Sequence, residues 1–115
     1  MFTYAASVIR VVDGDTVDVD IDLGFEVWVR NVRLRLSRIN AYETRLVKGT
    51  TAEDKTKGLE AKELVRKLCE DNPTQITITT KEKGKYGRWI AELYVGDINV
   101  SDFLVNKSLA WYQEY

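Results

Sequence analysis

Apolar and polar residues alternate through the first third of the chain. Val8, Ile9, Val11 and Val12 lead into the turn Asp13-Gly14-Asp15, after which Val17, Val19, Ile21 and Leu23 alternate with Asp18, Asp20 and Asp22. A period of two predicts half-buried strands. Gly24 fits a reversal, and Phe25, Val27 and Val29 resume the alternation. The apolar parity then shifts to Val32, Leu34 and Leu36, which predicts a bulge or tight turn near Asn31. Three strands follow. The polar segment from Leu46 to Gly58 reads as a loop. From Leu59 the period lengthens: Ala61, Leu64, Val65 and Leu68 share one helical face, Glu63 and Lys67 form a favourable i,i+4 pair, and Asp71-Asn72-Pro73 ends the helix. Gln75 to Thr80 and Trp89 to Val95 predict a fourth and a fifth strand, separated by the polar stretch Lys81 to Gly87. Asn99 or Ser101 fits the cap of a last helix carrying Val100, Phe103, Leu104 and Trp111 and ending almost at the C-terminus.

The order βββ-α-ββ-α predicts an α+β, mainly β fold: a five-stranded OB-fold barrel with two helices packed on it. At 115 residues, with no internal repeat or Pro/Gly-rich linker, the chain is expected to form one domain spanning 1–115. The lone Cys69 lies among apolar residues in the helical pattern and reads as core. Met1 to Ser7 lacks the basic and apolar regions of a targeting segment, and no run approaches a membrane span. The expectation is a cytoplasmic protein with no membrane partner.

Composition narrows the chemistry. The chain has no histidine, which excludes Ser-His-Asp and Cys-His nucleophilic machinery, imidazole acid–base catalysis and imidazole-ligated zinc. Catalysis must run on carboxylates, Arg, Lys, Tyr or a metal held by oxygen. Seventeen Lys plus Arg stand against 18 Asp plus Glu, and this near-neutral balance argues mildly against nucleic-acid binding, since phosphate contacts usually come with a basic excess.

Within those limits, Asp13 and Asp15 flank a glycine on a turn, where two carboxylates can face one oxygen-liking cation. An ordinary turn is the alternative. The pattern fails as an EF-hand, because neither the glycine nor the glutamate positions match and the flanks are strand-like. Asp18, Asp20 and Asp22 share one strand face and read as a solvated acidic surface. Arg33 and Arg35 alternate with Val32, Leu34 and Leu36, and Arg88 follows a glycine at a strand start; each alone fits an exposed surface charge. Together these residues supply carboxylates for a metal, Glu43 for a base and two guanidiniums for an anion, the set that phosphodiester hydrolysis needs in a protein without histidine.

Three segments, Val12-Asp13-Gly14-Asp15-Thr16-Val17, Arg35 through Thr44, and Tyr86-Gly87-Arg88, resemble in order the signature segments of the staphylococcal nuclease family. The similarity extends through Leu59-Glu60-Ala61 and Asn99 to Ala110. The resemblance implies a five-stranded OB barrel that hydrolyses DNA and RNA with Ca2+ or another divalent cation and leaves 3′-phosphates. Carried over by position, it implies Asp15, Asn40 and the Ala41 carbonyl as metal ligands, with Asp13 close behind. It further implies Glu43 as the group that orients or deprotonates water and Arg35 and Arg88 as the phosphate clamp. Lys85 and Tyr86 match positions that contact nucleotide phosphate. The expected substrate is single-stranded or frayed DNA or RNA, bound by a monomer.

The chain departs from the family pattern in places. Asn40 stands where the family has Asp, which removes a negative charge from the metal ligands. Arg38 replaces a small or apolar residue, an extra cation expected to disfavour metal or to hold phosphate. Tyr42 replaces the usual Pro, which is expected to loosen the turn that aims Glu43. The chain stops after the second helix, where the family generally continues into a third. A second reading is therefore a catalytically weakened OB module that binds single-stranded nucleic acid or a protein partner. Lys81, Lys83, Lys85 and Arg88 near one segment, and Arg33, Arg35 and Arg38 near another, are expected to make a local basic groove.

Overall fold

The computed structural model describes residues 2–44, 49, 51–83 and 88–113, with backbone alone for residues 81–83. The predicted alternation forms β1 (Thr3–Asp13), β2 (Thr16–Asp22) and β3 (Trp28–Leu36), paired antiparallel in succession. β1 starts at Thr3, five residues ahead of the first predicted apolar position. β3 starts later than the alternation predicts, because Gly24, Phe25 and Glu26 all adopt positive φ (82°, 55° and 63°) and make the reversal themselves. The parity slip is a bulge. The β2–β3 register shifts between Val19 and Ile21, and Asn31 takes φ 55°.

After β4 (Ile39–Ala41) and α1 (Ala52–Asp71), β5 (Ile76–Lys83) and β6 (Trp89–Val95) complete the barrel. The strands lie in the order β3-β2-β1-β5-β6, and a parallel pairing of Leu34–Leu36 with Trp89–Ala91 joins β3 to β6. That closure leaves a five-stranded barrel whose interior holds Val17, Val19, Leu34, Leu36, Ile78 and Leu93, all fully buried. β7 (Ile98–Asn99) turns back on β6, α2 (Val100–Asn106) follows, and β8 (Ala110–Tyr112) pairs with β4 outside the barrel.

Two expectations need correction. The segment predicted as a loop up to Gly58 is helical from Ala52, so α1 begins seven residues before Leu59. Its first two turns are polar and carry no apolar stripe. They are held by a capping box in which Thr51 Oγ1 accepts from the Asp54 amide at 3.1 Å and the Asp54 side chain accepts from the Thr51 amide. The last helix stops at Asn106, and Trp111 belongs to β8. Asn99 is the cap of α2, accepting from the Asp102 amide at 3.2 Å. Ser108 at φ 60° turns the chain out of the helix.

The buried positions of α1 are Gly58, Ala61, Val65 and Cys69, mostly small, so the helix approaches the barrel closely. Burial pushes the Cys69 thiol up to about 11, consistent with its reading as core. Among the described residues no helix is long and apolar enough to cross a membrane.

Candidate active site

The parallel β3–β6 pairing sets Leu34 opposite Trp89 and Arg35 opposite Ile90, which brings Arg88 to the end of the barrel where Arg35 lies. The β2–β3 register places Thr16 opposite Arg35 and so carries the Asp13–Asp15 turn to the same end. Gly14 tucks that turn under α1 and β4: a Cβ there would meet the Cβ of Ala61 at 2.9 Å and that of Ala41 at 3.2 Å. The result is a cavity of about 540 Å3, lined by Asp13, Asp15, Arg35, Asn40, Ala41, Glu43 and Arg88, with Thr16, Tyr42, Gly49, Asp54 and Trp111. All of the sequence-predicted catalytic and metal positions, together with Asp13, reach it. Lys85 and Tyr86 lie outside the described residues.

Inside the cavity the groups hold one another. Asp15 is 9% exposed; its Oδ1 accepts from Thr16 Oγ1 at 3.0 Å and its Oδ2 accepts from the Ala41 amide at 2.8 Å. Arg35 Nη1 donates to the Leu36 carbonyl at 3.1 Å, while Nη2 lies 3.3 Å from Asp15 Oδ2 and donates to Asn40 Oδ1. A carboxylate oxygen and an amide oxygen thus converge on a single cationic nitrogen. Asn40 Nδ2 in turn donates to Gln113 Oε1. Asp13 accepts from Thr44 Oγ1 at 2.7 Å, and Glu43 has an exposed side chain.

The donor set bears on metal. Hard oxygen donors meeting at one positive centre suit Ca2+ or Mg2+, which accept protein oxygens together with water and substrate phosphate. Asp15 Oδ2 and Asn40 Oδ1 meet that description, with a single negative charge between them. No group of three or more acidic or thiol side chains comes together as a closed metal cage among the described residues. The positive centre on which these two oxygens converge in the structure is the Arg35 guanidinium, so a cation bound by both would have to take its place.

Several charges turn out to have other work. Asp18 is 5% exposed and lies under two arginines: Arg33 Nε and Nη2 donate to it at 2.8 and 3.1 Å, and Arg10 Nη2 at 2.8 Å. The Arg33 guanidinium, followed by that of Arg10, holds the Asp18 carboxyl below the usual carboxylate range. Asp20 accepts from the Asn31 amide and from Arg30 Nη1, and Asp22 from the Gly24 amide. On the face expected to be a solvated acidic surface, Asp18 and Asp20 are therefore ion-paired with arginines, and Asp22 caps the turn at Gly24.

Arg38 is also displaced from its expected role. With φ 69°, it directs Nε to the buried Glu92 at 2.7 Å and Nη1 to Asp102 at 3.1 Å, away from the cavity. Hydrogen bonds to Glu92 raise its pKa further above the arginine norm, so it remains charged. Arg33 and Arg38 thus do not contribute open charge to a basic groove. Tyr42 makes ring contacts that a proline could not. Its ring meets Trp111 edge-on at 5.0 Å, and Lys57 Nζ lies 5.2 Å from its centroid.

The residues that the sequence does not single out are Thr44, Trp111 and Gln113. Trp111 has a legible signal: the apolar stripe of the last helix is broken at Lys107 and Ser108, which argues against carrying the helix on to position 111. Gln113 and Thr44 carry no signal, because their roles depend on a strand pairing and a turn that bring distant segments together.

The family model described as "Staphylococcal nuclease homologue" matches residues 33–115. An uncharacterized endonuclease of Escherichia coli O157:H7 is 34% identical over 110 residues, covering 94% of this chain and 61% of that protein. An uncharacterized protein of Methanocaldococcus jannaschii is 34% identical over 112 residues, covering 84% of this chain and 51% of that protein. A micrococcal nuclease of Shigella flexneri is 25% identical over 121 residues, covering 97% and 60%. The chain spans between 51% and 61% of the length of these relatives. The family match runs from β3 to the end of the chain and takes in Arg35, Asn40, Glu43 and Arg88, while the Asp13–Asp15 turn lies outside it. The chain belongs to the staphylococcal nuclease homologue family.

Proposed function

We propose that this cavity hydrolyses phosphodiester bonds of DNA or RNA with the help of Ca2+ or another divalent cation. The observation that carries the reading is that a single cavity brings together Asp15, Arg35, Asn40, Glu43 and Arg88. The relatives named endonuclease and micrococcal nuclease support it.

In this reading Arg35 and Arg88 donate to the non-bridging oxygens of the scissile phosphate, and their forks match its geometry as negative charge builds on those oxygens. Glu43 lies at the exposed side of the cavity, where its carboxylate takes a proton from the attacking water as that water bonds to phosphorus, the bridging P–O bond opposite it breaks, and the leaving oxygen takes a proton from solvent. Asp15, Asn40 Oδ1 and the Ala41 carbonyl would hold the cation once Arg35 turns from these oxygens to the phosphate, and Asp13, fixed by Thr44, adds negative charge behind them. When bound, the cation lowers the pKa of nearby water and offsets charge on the phosphate. Lys85 and Tyr86 contact flanking phosphate, and the substrate is a single-stranded or frayed segment.

Asn40 favours a second reading, a module that binds nucleic acid without cutting it, because its amide supplies no charge for the cation. Incubation of denatured DNA with the purified protein, in Ca2+ and in chelator, separates the two. The nuclease reading expects fragments in Ca2+ and none in chelator. Bound but intact DNA in both conditions would establish the module instead.

A further inference from the structure

Trp111 is a cavity residue that neither the carboxylate and guanidinium set nor the phosphate-binding positions account for. It lines the same cavity as Arg35 and Arg88 while remaining 43% exposed. Its backbone and its ring are both held. Its backbone pairs with Asn40 across the β4–β8 ladder, Tyr42 meets it edge-on at 5.0 Å, and its indole Nε1 lies 3.4 Å from Gln113 Oε1, the acceptor that also holds Asn40. Lys57 over the Tyr42 ring braces the pair from the α1 side. A large indole held this firmly and still open to solvent has little freedom to lose when a flat ligand lands on it.

We infer that Trp111, steadied by Tyr42, is the stacking surface for an unpaired nucleobase of the polynucleotide whose phosphate lies between Arg35 and Arg88. The inference rests on the nuclease reading and adds the base to it. Strand β8 sets Trp111 directly across from Asn40, so the base platform and the candidate cation ligand lie one ladder step apart. A base inside a duplex keeps both faces covered by its neighbours and presents none to the indole. The platform therefore selects single-stranded or frayed segments, and it tolerates any base, because each has a π-face. The selection acts through shape, which suits a chain whose net charge of -1 gives little general attraction to polyanions.

The test compares binding, in chelator, of a short thymidine oligonucleotide and of an abasic phosphodiester chain of equal length, by fluorescence anisotropy. The wild type is expected to prefer the thymidine oligomer. Trp111→Ala is expected to raise the Kd for that oligomer about tenfold and to change the Kd for the abasic chain less than about twofold, the size of one lost stacking contact. Trp111→Phe, which keeps a flat ring but lacks the indole N–H, is expected to restore most of the preference and so to separate stacking from a structural loss. In a Trp28→Phe, Trp89→Phe background, the thymidine oligomer is expected to quench Trp111 fluorescence and the abasic chain is not. A wild type with no preference for bases, or a Trp111→Ala variant that keeps the preference, overturns the inference. If the protein cleaves denatured DNA in Ca2+ while either of these holds, the nuclease reading survives without it. If the protein neither binds nor cleaves, both fall.

Discussion

Gly58 lies inside α1 against the turn that carries Glu43. A Cβ at this position would meet the Tyr42 carbonyl oxygen at 2.7 Å and the Glu43 carbonyl carbon at 2.6 Å, both of them backbone atoms. Helix propensity alone favours alanine here by about 1 kcal/mol. The overlap reverses that sign, because neither the helix nor the turn can yield without moving Glu43. Gly58→Ala is therefore expected to lower Tm and to slow any cleavage, and a raised Tm in thermal denaturation would refute the close packing. Asp102 shows the same dependence on single contacts in its titration. The Tyr112 hydroxyl, and after it the Arg38 guanidinium, hold its carboxyl below the usual carboxylate range. A depressed folded pKa means that its stabilisation is complete above the unfolded value of about 4 and is lost as pH falls through the folded one. The Tm deficit of Asp102→Asn should thus be largest near neutrality and should close as the pH is lowered from about 4. A deficit that stays constant down to pH 2 would show that the carboxylate contributes nothing as an ion.

The elements divide by what makes them. The barrel strands were legible because burial inside a closed sheet imposes a period of two, and Val17, Val19, Leu34 and Leu36 announce it. The parity slip at Asn31 was legible for the same reason, since a bulge is the cheapest way to exchange inward and outward positions. The start of α1 was not legible in its periodicity. Residues 52–57 contribute no buried position, and only Thr51 and Asp54, as a capping box, mark the helix start. Thr51→Ala should accordingly cost about 1 kcal/mol, read as a lower Tm with the barrel otherwise unchanged. β8 was missed because it is three residues long and is specified by its partner β4 and by Arg38. Arg38 links this corner by its side chain to Glu92 and Asp102 and by its carbonyl to the Gln113 amide at 2.7 Å. Arg38→Ala should speed amide hydrogen exchange at Gln113 and along β8 well before it affects β2. Uniform protection in the variant would mean that β8 holds without it. Much of the candidate site could be read because its residues cluster in short segments; the parts that could not, Thr44, Trp111 and Gln113, are the ones that tertiary pairing brings in.

At the scale of the whole molecule, charge is arranged to be spent internally. Arg10, Arg30, Arg33 and Arg38 are paired with Asp18, Asp20, Glu92 and Asp102, so much of the arginine content faces protein carboxylates. Under the nuclease reading Arg35, Arg88 and Lys85 are the cations that meet phosphate. Each phosphate neutralised on a single strand contributes about 0.7 to the log–log salt slope, so the Kd for a single-stranded oligonucleotide should rise with salt with a slope of about 2. A slope above about 4 would mean that many more phosphates are neutralised than three cations can reach. The barrel closure matters more than the net charge, because joining β3 to β6 is what sets Arg35 and Arg88 at one mouth with Asp15 and Glu43. The most direct test of the account is the single-turnover rate of oligonucleotide cleavage at saturating Ca2+ for the wild type and for Glu43→Gln. The substitution keeps the shape of the side chain and removes its capacity to take a proton, and the expected result is a loss of about a hundredfold or more with oligonucleotide binding retained. A Glu43→Gln protein that cuts as fast as the wild type would place the chemistry outside this cavity.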